Sequence, residues 1–147
     1  MPYERNKIDS IERIQKRATK LVRTCKHLSY ENRLMLLQLP SLMYRRVRGD
    51  MIQVFKMLCM NDGFNVPKPN FNKPTYMHTR GHKYRLQKGN FKLNIRKYYF
   101  TNRIVDLWNS FPERLVSCGS IFEFERGLDE YWTVVPWKYD YEKFVYR

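Results

Sequence analysis

Acidic residues are scarce in this chain, and their scarcity narrows the partners that it can have. Only 14 of its 147 residues are Asp or Glu, against 28 that are Lys or Arg, so the formal net charge is +14. An excess of this size attracts phosphate backbones or acidic surfaces and repels other basic proteins. We therefore do not expect a small-molecule substrate.

The sequence also lacks a long apolar run and a recognisable leader. No run approaches the ~18 apolar residues that a membrane-spanning helix needs, and the opening stretch MPYERNK has no secretory apolar region. The three cysteines, Cys25, Cys59 and Cys118, are odd in number and widely spaced, which favours a reducing compartment. These features predict a soluble intracellular protein, nuclear or cytoplasmic, that is not secreted and contacts no membrane.

Motifs that carry catalysis or hold cofactors are missing as well. The chain has no Asp-x-Asp and no adjacent Asp pair to hold Mg²⁺, and no P-loop, Rossmann or serine-nucleophile motif. Cys25 and His27 with His78 and His82 come nearest to a zinc site, but their spacing is irregular and no Cys-x-x-Cys accompanies them. We expect no catalytic residue, no metal and no cofactor.

Apolar and aromatic residues, at 43% and 16% of the chain, are plentiful enough to build a core. Their periodicity predicts a mainly α fold with helices at 9–25, 30–39, 41–60, 98–110 and 120–132. Ser29, Ser41 and Ser120 stand where helix N-caps belong. Residues 63–78 are typical of a loop, and the alternation over 82–95 predicts a β-hairpin. The expected architecture is a small helical domain over 1–132, with loop and hairpin at about 61–97, and an irregular aromatic tail over 133–147 that has no evident partner.

The first predicted helix is amphipathic. Asp9 and Glu12 have the spacing of a capping box that would open it. At ~100° per residue its apolar side chains share one face and its cations the other. The predicted buried face consists of Ile11, Ile14, Ala18, Leu21, Val22 and Cys25. We therefore expect this helix to pack through that face and to present a cationic stripe to solvent.

Two groups of basic residues are candidates for nucleic-acid contacts. The first group lies on the first helix and consists of Arg13, Lys16, Arg17, Lys20 and Arg23. The second group surrounds the predicted hairpin and consists of Arg80, Lys83, Arg85, Lys88, Lys92, Arg96, Lys97 and Arg103. Cations neutralise phosphates and release counterions, while the interleaved Tyr84, Phe91, Tyr98 and Tyr99 could stack on unpaired bases.

The alternative to nucleic-acid binding is a structural interpretation, in which the basic residues form an ordinary solvated face and the aromatic residues belong to the core. For the basic residues of the first helix this structural interpretation is favoured. For the second group it is disfavoured, because residues 61–103 carry ten cations and a single acid, Asp62. Within that group Arg80-Gly81-His82 is the leading functional motif, since a glycine lets the backbone approach a phosphate.

Six strings occur in an order that resembles a known family. They are IERIQKRATKLV (11–22), LSYENRLMLLQLPSL (28–42), YRRVRGDMIQVFKML (44–58), TRGHKYRL (79–86), FTNRIVDLWNSFP (100–112) and FEFERGLDEYW (122–132). Together they look like the C-terminal part of the reverse transcriptase of non-LTR (LINE-type, jockey-like) retrotransposons. The resemblance implies the thumb or the segment just after the palm, which helps to hold template RNA and the primer–template duplex.

The resemblance implies nothing catalytic for this chain, because the Asp-Asp motif, the earlier palm aspartate and the endonuclease of the family have no counterpart in it. The implied partners are RNA or a primer–template duplex, held through phosphates, and the palm of a full-length enzyme. Two alternatives remain open at this point. One is a domesticated remnant that acts as a basic protein-interaction module, and the other is a gene-model fragment without function.

Several motif residues also have a structural interpretation. Trp108 and Phe111 can anchor a helix in the core, and Asn109 can satisfy backbone groups nearby. Arg46 and Asp50, four residues apart, can form an ion pair on the third helix.

Overall fold

The fold is mainly helical over residues 5–59, 71–74 and 81–144, the part of the chain that a computed structural model describes. This confirms the predicted α class. The α-helices are α1 (Arg5–Lys20), α2 (Tyr30–Leu36), α3 (Leu42–Cys59), α4 (Asn94–Lys97), α5 (Phe100–Arg103), α6 (Val105–Asn109), α7 (Glu113–Val116) and α8 (Ile121–Tyr131). Single 3₁₀ turns lie at Arg23–Cys25, Pro136–Lys138 and Tyr141–Lys143. Most of the predicted loop at 63–78 falls outside the described residues.

The chain divides into two compact units. The terminal unit combines the residues up to Arg48 with those that follow Thr133, and the central unit comprises Gly49–Thr133. Helix α3 contributes its first turns to the terminal unit and the remainder to the central unit. The predicted single domain over 1–132 remains a prediction.

Three serines cap the helices that the sequence assigns to them. The hydroxyl of Ser29 accepts the Asn32 N–H at 3.3 Å, and that of Ser41 accepts the Tyr44 N–H at 3.1 Å. Before α8, the Ser120 hydroxyl accepts the Glu123 N–H at 3.2 Å. Each cap satisfies one of the N–H groups that have no partner inside the first turn of a helix.

The capping box predicted at Asp9 and Glu12 is wrong, because α1 already includes Arg5 and both residues lie inside it. Glu12 is 1% exposed. One of its carboxylate oxygens accepts the Met43 N–H at 2.8 Å, and the other accepts the Tyr30 hydroxyl at 2.8 Å. Glu12 therefore caps α3, a helix distant in sequence, rather than its own.

The predicted buried face of α1 is wrong too, except at Cys25, which is fully buried in the 3₁₀ turn after the helix. Glu12 and Thr19 are its buried residues, whereas Ile14 is 68% and Leu21 83% exposed. The packed side is turned from the predicted one by ~100°, the rotation of a single residue. Because Glu12 and Thr19 both find hydrogen-bond partners inside the terminal unit, burying them is tolerated. The helix also ends at Lys20, five residues before the predicted end at Cys25.

The aromatic tail has a partner that the sequence does not reveal. The Ser41 N–H donates to the Lys138 carbonyl at 2.9 Å, and the Ser41 hydroxyl donates to the Trp137 carbonyl at 3.2 Å. The Trp137 ring lies 5.2 Å from that of Tyr44 and 4.9 Å from that of Phe144, centroid to centroid. These contacts make the tail part of the terminal unit.

An aromatic cluster forms the core of the central unit. Phe55 of α3 and Phe124 of α8 stack with centroids 4.2 Å apart, and Trp108 and Phe111 meet Phe124 at 6.2 and 6.4 Å. Trp108 is fully buried. The cluster brings α3, α6 and α8 together around one set of rings, as predicted for Trp108 and Phe111.

The predicted β-hairpin at 82–95 is wrong, since the described residues there contain no strand. The backbone of residues 82–90 hydrogen-bonds largely to side chains of α5, α6 and α7, and the Gln87 N–H donates to the Asn72 carbonyl at 2.8 Å. Leu86 exchanges two bonds with the Asn109 amide, at 2.9 and 2.8 Å. The Trp108 indole donates to the Tyr84 carbonyl at 2.8 Å, and Asn102 accepts the Gly89 N–H at 2.9 Å. Because these bonds satisfy the extended backbone, it does not need a cross-strand partner.

Replacement of Asn109 by Asp should destabilise the central unit. The carboxylate keeps the acceptor for the Leu86 N–H but cannot donate to the Leu86 carbonyl, so that a bond is lost and two oxygens face each other. We expect the free energy of unfolding to fall by about 1–3 kcal/mol. Urea unfolding followed by far-ultraviolet circular dichroism measures the change. Asn90→Asp, at an exposed position of the same segment, is the matched control, and equal stability of the two variants would contradict the assignment.

Candidate nucleic-acid interface

Helix α1 presents three exposed cations on one side of the terminal unit. Arg13, Arg17 and Lys20 are exposed and follow one another at four and three residues, so they lie along the same side of the helix. Arg23, in the 3₁₀ turn after the helix, is exposed as well. The cationic stripe predicted from the sequence is present, although the helix packs through a different face.

Lys16 differs from the other predicted members of the stripe because it is only partly exposed. Its ammonium nitrogen lies 5.1 Å from the centroid of the Tyr30 ring and 5.3 Å from that of the Tyr141 ring. It also donates to the Tyr141 hydroxyl at 3.5 Å. A cation held against two aromatic rings stabilises the unit, so Lys16 contributes charge to this surface but is not a flexible phosphate ligand.

These cations surround a basin of about 500 Å³. The basin is lined by Arg13, Lys16, Arg17, Lys20, Leu28, Tyr30 and Arg33. Among the described residues that line it, five are cations and none is a carboxylate. Glu12 lies nearby, but both of its oxygens are occupied by Tyr30 and Met43. The α1–α2 basin therefore offers a net positive charge to an anionic ligand.

Three residues of the basin, Leu28, Tyr30 and Arg33, were not among the sequence-predicted site residues, and two of them carry polar groups. Arg33 is buried, with its Nε donating to the Thr19 hydroxyl at 3.1 Å and one terminal nitrogen donating to the Leu28 carbonyl. Tyr30 keeps its proton, because burial and the hydrogen bond to Glu12 raise its pKa. In the sequence both belong to a short helix without a cationic pattern, so only their position opposite α1 reveals them.

The second predicted group is not a continuous cationic surface. Lys83, Lys92 and Arg96 are exposed, while Arg85, Lys88, Lys97 and Arg103 are half-buried. Arg80 lies outside the described residues. The Lys97 ammonium lies 5.3 Å from the centroid of the Tyr98 ring.

Two members of this group are paired with carboxylates. The Arg103 guanidinium donates to both oxygens of Asp50, at 2.9 and 3.0 Å, and Lys88 forms an ion pair with Asp106. Asp50 thus pairs with Arg103, where the sequence suggested Arg46. Both carboxylates come from outside the window 61–103, which explains why counting charges inside that window overstated the available positive charge.

Gly81 and His82 have structural roles that the sequence does not reveal. Gly81 has a positive φ of 100°, a backbone conformation that glycine adopts freely and that a residue with a side chain adopts only under strain. The His82 ring lies 3% exposed, edge-on to Trp108, with Nε2 3.0 Å from the Trp108 carbonyl. Burial lowers the pKa of His82, so that the ring is neutral and Nε2 donates to this carbonyl.

Comparison with protein-family models, curated proteins and solved structures found no match to this chain. Within residues 5–59, 71–74 and 81–144, no helix has both the length and the apolar character needed to cross a membrane.

Replacement of Arg103 by Gln should lower stability without weakening nucleic-acid binding. The substitution removes both bonds to Asp50, whose side chain is only 17% exposed, and leaves that carboxylate without its cation. We expect the free energy of unfolding to fall by about 1.5–3 kcal/mol, the range for hydrogen bonds to charged groups. Denaturant titration and a filter-binding assay measure the two properties. Arg96→Gln, at an exposed site, removes the same charge and should be as stable as wild type. If Arg103→Gln binds nucleic acid more weakly but is as stable as wild type, Arg103 contacts the nucleic acid and has no structural role.

Proposed function

We propose that this chain binds nucleic acid through phosphate contacts, as the thumb or post-palm piece of a LINE-type reverse transcriptase, and that it does not polymerise by itself. The partners in this proposal are RNA or a primer–template duplex and, in a full-length enzyme, the palm. The order of the sequence strings supports the proposed origin in this family. The positive charge of the surface supports nucleic acid as the ligand.

The α1–α2 basin is the observation that carries the proposal. Its lining brings five cations together without a lining carboxylate. From Arg13 to Lys20 the exposed cations extend over ~10 Å of helix axis, a length over which duplex DNA presents roughly six phosphate charges. Neutralising such charges releases condensed counterions, which is the main source of affinity in sequence-tolerant binding. The exposed Lys83, Lys92 and Arg96 of the central unit offer additional contacts.

Binding of this kind is sequence-tolerant. Phosphate contacts position a protein but carry no base information. The described residues contain no helix whose pattern matches a base-reading module.

A second candidate function, a basic protein-interaction module, has one specific observation in its favour. Ile14 of α1 and Leu21, the residue directly after that helix, are 68% and 83% exposed next to Arg13, Arg17 and Lys20. An apolar stripe flanked by cations fits an acidic amphipathic partner helix. A double substitution distinguishes the two functions. Ile14→Ser combined with Leu21→Ser should abolish binding of an acidic partner helix and leave phosphate-driven nucleic-acid binding intact.

Salt dependence tests the proposed function directly. Three to four phosphate contacts, from the exposed Arg13, Arg17, Lys20 and Arg23, give a slope of log K against log salt concentration of about −2 to −3.5. Replacing Arg13, Arg17 and Lys20 together by Gln should reduce the magnitude of the slope by about 2 to 3, with α1 still folded because these side chains are exposed. Fluorescence anisotropy with a labelled RNA and a labelled duplex at several salt concentrations provides the measurement.

The control for this test removes three charges elsewhere. Arg45→Gln, Arg114→Gln and Arg126→Gln act at exposed positions that do not line the basin. The control variant should keep the wild-type slope to within about one unit. Equal slopes for the basin variant and the control variant, or binding that does not respond to salt, would refute the proposal.

Polymerisation should be absent. Two-metal phosphoryl transfer needs clustered carboxylates, and the sequence has no Asp-x-Asp or adjacent Asp pair to supply them. We expect purified protein to incorporate no nucleotide on a primed RNA or DNA template with Mg²⁺ or Mn²⁺, under conditions in which template binding is measured in the same tube. Template-dependent extension that survives repurification would overturn this part of the proposal.

A further inference from the structure

The central unit contains a cavity of about 430 Å³ that the phosphate-binding proposal does not use. Its lining consists of Leu58, Lys73, Pro74, Gly81, His82, Lys83, Tyr84, Arg85, Leu86 and Glu113. Leu58, Pro74 and Leu86 are apolar, whereas Lys73, Lys83 and Arg85 are cationic. The volume falls within the ordinary range of small-ligand pockets, about 300–1,000 Å³, and is far too small for a duplex.

The segment that forms one wall of this cavity is held in place before any ligand arrives. His82 is bonded to the Trp108 carbonyl, the Tyr84 carbonyl accepts from the Trp108 indole, and Leu86 is bonded twice to Asn109. The even-numbered positions are thereby fixed to α6. Lys83 and Tyr84 form a turn in this segment, and their side chains line the cavity together with that of Arg85. Lys83 is exposed, whereas Tyr84 and Arg85 are half-buried.

A cationic side chain and an aromatic ring lie next to each other in this wall of the cavity. The Lys83 ammonium is 5.0 Å from the centroid of the Tyr84 ring. The Glu113 carboxylate lies at the same place, where it accepts the Lys83 N–H at 3.0 Å and the Ser117 hydroxyl at 2.8 Å. These two bonds lower its pKa, the Ser117 bond contributing most, so it stays ionised. Among the described residues that line the cavity, three cations against this one carboxylate give a charge of +2.

We propose that this cavity binds one unstacked nucleotide of a single-stranded nucleic acid. The base lies on the apolar surface beside the Tyr84 ring, and its phosphate contacts Lys83 and Arg85. An aromatic ring next to cations is the arrangement by which proteins hold unpaired bases without reading their sequence. This inference rests on the proposed function and adds to it a preference for single strands, localised in the central unit.

A comparison of single-stranded and duplex binding tests the inference. Tyr84→Leu should weaken binding of a ten-residue oligothymidylate by about 5- to 100-fold, the effect of losing one base–aromatic stack, and should leave affinity for a duplex of the same length unchanged. Tyr84→Phe retains the ring and should bind as wild type. Tyr99→Leu removes an aromatic ring that is 60% exposed and lies outside the cavity, and it should also bind as wild type.

A positional readout accompanies the affinities. An oligonucleotide that carries a single 5-iodouridine should crosslink under ultraviolet light to Tyr84, identified by mass spectrometry of the digested adduct. Wild-type affinity of Tyr84→Leu for the single strand, or a crosslink confined to α1, would overturn the cavity assignment while phosphate-driven binding stands. If the wild-type protein binds neither the single strand nor the duplex, the proposed function itself is refuted. A Tyr84→Leu defect that Tyr84→Phe shares equally would contradict stacking.

Discussion

The hydrogen bonds between the Asn109 amide and both backbone groups of Leu86 are the interaction on which the central unit depends. Together with the backbone bond from Gln87 to Asn72, they satisfy backbone groups that a strand ladder would otherwise satisfy. With Trp108 bonded to Tyr84 and buried among Phe111 and Phe124, the same helix α6 fixes the segment and closes the aromatic core. The motif LWNSFP is thereby explained structurally: its tryptophan and asparagine hold a backbone in position.

The terminal unit follows the same physical rule through a different residue. Glu12, a carboxylate inside a helix, is buried only because a tyrosine hydroxyl and a helix N-terminal N–H both donate to it. This one side chain sets the rotation of α1. The rotation in turn exposes Ile14 and Leu21 and directs Lys16 between two aromatic rings, while Arg13, Arg17 and Lys20 remain available around the basin. A buried polar group therefore determines which side chains α1 presents to solvent.

Electrostatic pairing separates the two basic groups. Those on α1 have no lining carboxylate beside them in the basin, whereas Arg103 and Lys88 meet Asp50 and Asp106 from helices α3 and α6. The density of charge along the sequence pointed to the second group as the stronger candidate. Ion pairs between residues distant in sequence make the group on α1 the stronger candidate instead. A paired cation has fewer free donors for a phosphate, and separating it from its carboxylate lowers the stability of the protein.

Local signals in the sequence were enough to determine the α class, the serine caps of α2, α3 and α8 and the burial of Trp108, because capping and hydrophobic periodicity act within a few residues. The rotation of α1, the absence of a hairpin at 82–95 and the pairing of Asp50 with Arg103 were decided by tertiary structure alone. Each depends on a polar partner supplied from far along the chain: Tyr30 and Met43 for Glu12, Asn109 for Leu86, and Arg103 for Asp50. A buried polar group selects the conformation that satisfies it, and no local pattern encodes where that partner will be.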